Sequence, residues 1–330
     1  MAAFSCGGGG GGGRRGLFST STFLVAMVVV LLLQHHAMSV DAYGLADFLA
    51  AYNNPNVSYH EVKADIALKA SLPAIDRALT LVGKGPKPSR PVVIDGSSKF
   101  AGIVTEADIK LVNLEFRNFR SASGGALSAS GANAVVDQCI FRNNRATSGN
   151  GGALDFSDTG LTIRRSQFVR NRASRQGGAI YTFTDDFGRI EDCVFDGNSA
   201  ADGGALAFRQ QIGIRVRKST FRSNRARQQG GAIYFSRGLS TVSDNKFIKN
   251  VAGSFGGAFR FFGDDQGVLT ICRGNSYSGN KAKPATSNNV YLLVVSGDPN
   301  FPNVFYCGAL PPATLVNATN GGIATSCRDC

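Results

Sequence analysis

The sequence predicts an all-β solenoid, a parallel β-helix with about 26 residues per rung and a short N-terminal capping helix. Three observations carry that expectation. Glycine pairs begin at Gly124, Gly151, Gly177, Gly203, Gly230 and Gly256, every 26 or 27 residues. A second motif, F-x-x-N-x-A, runs in phase: "FRNNRA" at 141, "FVRNRA" at 168, "FDGNSA" at 195, "FRSNRA" at 221, "FIKNVA" at 247 and "YSGNKA" at 277. Between the motifs apolar residues alternate, as at Leu161 and Ile163 or Ile214 and Val216. Helical repeats are longer and need apolar residues at three- and four-residue spacing. Short alternating strands with Gly and Asn at the corners instead make each repeat one rung, paired to the next.

The fixed letters then have physical reasons. Rungs about 4.8 Å apart place like positions in columns. Phe141, Phe168, Phe195, Phe221, Phe247 and Tyr277 form an internal aromatic stack, with an incomplete forerunner at Phe116. Each buried ring contributes about 2–3 kcal/mol. Asn144, Asn171, Asn198, Asn224, Asn250 and Asn280 form an amide ladder at a corner, since an amide both donates and accepts. The following alanines mark a place too tight for more than a methyl. The glycine pair allows a left-handed corner and a close backbone approach.

Taken in chain order, residues 1–42 read as a secretory signal peptide. Arg14 and Arg15 precede the apolar run Phe23–Leu33, and Val40 and Ala42 offer small residues for cleavage. The run is too short to span a bilayer. Residues 43–90 are the N-terminal cap, with an amphipathic helix expected over "SLPAIDRALTLVGKG" at 71–85. Residues 91–295 are the coil, opening with a buried strand at Val92–Ile94 and closing on "NVYLLVVSG". Residues 296–330 are a cysteine-containing C-terminal cap.

A leader of this kind implies a secreted, extracellular or wall-associated protein, in which disulfides are allowed. Cys139 and Cys193 lie two rungs apart, too far to be bridged, and are expected to be buried free thiols. Cys272, Cys307, Cys327 and Cys330 are the disulfide candidates, with Cys272 placed in the column of Ile163, Ile190, Val216 and Val242. Sequons at Asn56 and Asn317 are candidate glycosylation sites.

The interleaved G-G-A-[IL] and F-x-x-N motifs over residues 116–282 resemble the repeats of the chlamydial polymorphic outer membrane proteins, within the pectin-lyase-like fold. The resemblance implies a right-handed β-helix and, for chlamydial members, an adhesin. Those members end in a membrane barrel. The tail after Ala282 is too short for eight strands, so a freely secreted or wall-associated relative is expected, with no transmembrane segment once the leader is removed.

The sequence offers two kinds of site. Enzymes of this fold cleave acidic polysaccharides, but nothing here resembles the histidine or Asn-Thr-Asp motifs of polygalacturonases. The catalytic candidates are Asp158, Asp185, Asp186 and Arg189, and Asp158 with Asp185 could hold Ca²⁺. No other cofactor is expected. The second lead is charge: the chain carries a formal +12. Arg145, Arg172, Arg225 and Lys281 recur four residues after the column aromatic, and Tyr181 and Tyr234 are expected to face outward for stacking on sugars. An arginine row along a rigid rod attracts polyanions. Outside the cell the expected partner is an acidic or sulfated polysaccharide, or another cell-surface component, rather than nucleic acid. The readings are a non-enzymatic binder, a polysaccharide lyase or hydrolase, and a structural wall or assembly protein.

Overall fold

In the computed structural model, the described residues are 44–86, 90–183, 187–264, 267–283, 285–294, 304–307, 309–318 and 323–325. The expected leader, Asp185, Asp186, Cys327 and Cys330 lie outside them.

Period-two burial builds the coil. Within one turn, Leu154 and Phe156 point inward, then Leu161 and Ile163, then Phe168, then Ala173, while their neighbours face out. These four short strands feed three sheets. An 18-stranded sheet takes two strands per turn, and sheets of nine and six strands take one each. All pairings named here are parallel and join residues about 26 apart, such as Phe141 with Phe168 and Phe195 with Phe221. The described chain is a parallel β-helix, as the repeats predict.

The columns behave as like residues stacked in register should. Ring centroids from Phe116 through Tyr277 lie 4.8–5.4 Å apart, with planes within 10° of parallel. Phe116, the incomplete forerunner, is the first ring of the stack. The asparagines close a fully satisfied ladder. Asn144 Nδ2 donates to Asn171 Oδ1 at 3.0 Å and to the Phe116 carbonyl at 3.0 Å, and the Asn144 backbone N–H donates to the same Oδ1. The pattern repeats at Asn171, Asn198, Asn224 and Asn250. The glycine pair divides its labour. Gly177 has φ 65°, and a Cβ on Gly178 would overlap the carbonyl oxygen of Gly204 in the next rung.

A second polar ladder stands at the corner between the wide sheet and the nine-stranded sheet. The Cys139 N–H donates to Ser166 Oγ, Cys193 to Ser219 Oγ, Ser219 to Asn245 Oδ1 and Asn245 to Asn275 Oδ1. Small side chains occupy this column because each must accept from the backbone one rung earlier.

Three expectations are corrected. Residues 71–85 hold no helix. They include a strand, Leu79–Gly83, paired on one side with Tyr59–Val62 and on the other with Ile109–Val112. Ile75, Ala78, Leu79 and Val82 suit one helix face, but Leu79 and Leu81 alternate as a strand does, and two flanking strands decide for the extended form. The capping helix spans 44–53 instead and buries Phe48 and Tyr52. Arg77 donates to the carbonyls of Ala51 and Tyr52 at its C-terminal end. Second, Val290–Val294 is not the last strand: Thr314–Ala318 pairs with it, and Val304–Tyr306 and Ile323–Thr325 continue the wide sheet. Third, Ile271, not Cys272, joins the Val242 column. One extra residue separates Ile271 from Asn275 compared with Val242 from Asn245, which displaces Cys272 to the next position.

Among the described residues, no helix is long and apolar enough to cross a membrane.

Candidate functional site

The six-stranded sheet has two residues per strand, and each strand after the first, Arg120–Ser121, follows the ladder asparagine directly. In Asn144-Arg145-Ala146, Asn171-Arg172-Ala173 and Asn224-Arg225-Ala226, alternation turns alanine inward and arginine outward. The ladder therefore sets the pitch of whatever the sheet displays. Pairing aligns Arg120, Arg145, Arg172, Ser199, Arg225 and Val251, and an isolated bridge adds Lys281. At the rung spacing the row runs about 29 Å. The backbone N–H groups of Arg172 and Arg225 are pinned to the Asn144 and Asn198 carbonyls at 2.9 Å. The structure thus brings together Arg145, Arg172, Arg225 and Lys281, all exposed. It adds Arg120, which the sequence reading missed although it stands four residues after Phe116.

Several arginines elsewhere on the coil are neutralised. On the nine-stranded sheet Arg117 binds Asp95 at 2.7 Å, Arg142 binds Glu115 at 3.2 Å and Arg222 binds Asp196 at 2.9 Å, each across one rung. At the wide-sheet corner Asp137 takes both Arg164 and Arg165, and Glu191 takes Arg217. Burial raises the Asp137 carboxyl, but Arg165 and Arg164 outweigh it and hold the group below the usual carboxylate range. Burial and Arg117 act on Asp95 in the same opposed way, with the same net direction. The Arg217 hydrogen bond leads in lowering Glu191. Among the described residues, Arg120, Arg145, Arg172, Arg225 and Lys281 have no ion-pair partner.

Tyr181 and Tyr234 do not join this face. They lie on the wide sheet, in a column that runs Asp155, Tyr181, Ala207, Tyr234, Arg260. Tyr181 is only 7 % exposed, which corrects the expectation of an open stacking surface. Tyr234 is half-buried, with the Arg260 guanidinium 5.1 Å from its ring centre. In the same column, burial pushes the Asp155 carboxyl up to about 6, only partly offset by a hydrogen bond from Ser123.

Asp158 is exposed at a left-handed turn with φ 51°, and Arg189 is exposed on the wide sheet. The expected pairing of Asp158 with Asp185 lies outside the described residues. Cys139 and Cys193 are free and buried, and burial pushes both thiols up to about 12, so they hold no nucleophilic thiolate at neutral pH. Cys272 and Cys307 stand next to the paired residues Ile271 and Tyr306, and the Cys307 N–H donates to the Ile271 carbonyl.

No curated protein and no solved structure matches the chain. One family, described as the right-handed beta helix region, matches residues 92–289, which is more than half of the chain and includes most of the coil. The repeats, the parallel register and this match agree, and the chain belongs to the right-handed β-helix family.

Proposed function

We propose that this is a non-enzymatic, extracellular β-helix protein that binds acidic or sulfated polysaccharide along the six-stranded sheet. One observation carries the reading: the cations of that sheet stand in register without carboxylates, while the three arginines of the neighbouring sheet, Arg117, Arg142 and Arg222, are each paired to a carboxylate one rung away. Like charges one rung apart repel by up to about 1 kcal/mol in water. A polyanion lying along the row removes that repulsion, and the regular pitch suits a repeating ligand. The leader at 1–42 supports delivery to the cell exterior. Two features fit that compartment. Asn56 and Asn317 are exposed and available for glycosylation. Cys272 and Cys307 sit side by side in the strand register and are absent from the free thiols, which supports a bond between them.

The test is chromatography of the purified protein on immobilised polygalacturonate and on a sulfated polysaccharide. Retention that ends as salt rises, and weakens in Arg172→Glu with Arg225→Glu, is the expected result. Flow-through of the wild-type protein at low salt overturns the reading, as does retention indifferent to both substitutions. Sugar release from the polymer would overturn its non-enzymatic part.

A further inference from the structure

The wide sheet carries a second basic surface of different construction. Three outward columns run side by side over three rungs. The register places Arg189 beside Arg215 and Thr241, and Glu191 beside Arg217 and Ser243. On the other side, Phe187 precedes Gly188, which pairs with Ile214, so Phe187 lies opposite Gly213; the next register shifts between Gln211 and Ile214, and there Leu239 precedes Ser240, the partner of Ile214.

Each column has its own chemistry. The outermost is apolar and open: Phe187 is 76 % exposed and Leu239 47 %. Gly213 makes this possible, because a Cβ there would come within 2.7 Å of Phe187 Cδ1. The third column is self-compensated, with Arg217 Nε 2.8 Å from Glu191. The middle column is not. Arg189 and Arg215 have no ion-pair partner among the described residues. A cavity of about 240 Å³ opens at this place, walled by three arginines against Glu191 and Asp244, with the Thr241 and Ser243 positions on its third rung. Two free guanidinium forks one rung apart match the oxygens of one carboxylate or sulfate, and hydroxyls nearby can donate to the same group. An exposed ring beside them offers a flat apolar face to a pyranose.

We propose that this cleft is a separate site for a single oxyanion-bearing sugar residue. The sugar carboxylate or sulfate sits between Arg189 and Arg215, and the apolar face of the ring lies on Phe187. The proposal rests on the polysaccharide reading for its ligand class but not on the six-stranded sheet. The two faces divide the work: the long row holds polymer by charge, and the cleft selects a sugar residue by shape.

The experiment uses short oligosaccharides, too small to span the row, in two arms: a galacturonate trimer and a sulfated tetrasaccharide. Titration calorimetry on the full folded protein reads affinity, and the arm that binds identifies the oxyanion. Arg189→Gln with Arg215→Gln is expected to weaken binding at least tenfold, and Phe187→Ala about fivefold. Arg215→Lys, which keeps the charge and loses the fork, falls between them. All these residues are exposed, and an unchanged circular dichroism spectrum checks the fold. Arg172→Glu with Arg225→Glu is expected to leave short-ligand affinity within twofold while weakening polymer retention. Unchanged affinity in the Arg189 and Arg215 variant overturns the cleft and leaves the polymer reading standing. No binding of either oligosaccharide by the wild-type protein also overturns it. Flow-through of long polymer would fell the polymer reading on its own.

Discussion

Two neighbouring faces of one coil treat arginine in opposite ways. On the nine-stranded sheet Arg117, Arg142 and Arg222 each reach one rung back to a carboxylate. On the six-stranded sheet Arg120, Arg145, Arg172 and Arg225 stand in the same stacked arrangement with none. Backbone geometry does not separate the faces, since both are short parallel strands hung on the asparagine ladder. What separates them is side-chain choice at solvent positions, where folding alone is indifferent. Exposed ion pairs contribute well under 1 kcal/mol each, so pairing on one face and its lack on the other bear more on recognition than on stability.

The comparison can be broken or sharpened by substitution. The largest effect is expected at the frame that both faces share. Asn171→Ala leaves the Asn144 N–H and Nδ2 and the Phe141 carbonyl without their partners. It should cost about 3–5 kcal/mol by urea unfolding and release both faces together. Persistence of full stability would remove the ladder from the argument.

Asp155 comes next. Its carboxyl is raised to about 6 by burial, with no cation to offset it. A carboxyl raised in the folded state destabilises when ionised, so stability should fall as pH rises from about 4 through 6, by on the order of 2 kcal/mol. Asp155→Asn should remove that slope. Asp95, Asp137 and Glu191 have the opposite sign. Their lowered values contribute stability that is complete above the unfolded carboxylate range and lost as pH falls through the folded values. Urea melts between pH 3 and pH 8 separate the two, in wild type and in Asp155→Asn.

Converting one kind of face into the other is expected to be milder. Asp137→Asn frees Arg164 and Arg165. It should cost about 1–2 kcal/mol, less than a fully buried pair because both arginines are half exposed, and it should delay elution from a polyanion column. Within the core, Thr182 is fully buried with its hydroxyl unpartnered, in a column with Phe156 and Phe208. Thr182→Val should raise stability by about 1 kcal/mol. The smallest change in stability, under about 0.5 kcal/mol, is expected for Arg172→Glu with Arg225→Glu, even though these decide polymer retention. A large loss of stability there would mean the row is structural after all.

Much of this was legible beforehand because a solenoid repeats its demands. A residue at Phe168 or Asn171 faces its own copy one rung away, so one geometric need is written six times. Non-repeating segments were read poorly. At 71–85 the spacing of Ile75, Ala78, Leu79 and Val82 suits a helix while that of Leu79 and Leu81 suits a strand. The true helix at 44–53, with Leu45, Phe48, Leu49 and Tyr52 on one face, went unread beside the expected cleavage site.

The sequence by itself determined the repeat, the stacked core, the amide ladder and the existence of an arginine row, because each follows from a column of identical residues in register. Only the tertiary structure decided which arginines are neutralised, that Tyr181 is buried, and that Arg189, Arg215 and Arg217 meet around one cavity. The physical reason is that these depend on unlike residues in different rungs and strands. Their encounter is set by corner geometry and strand register, which no single repeat records.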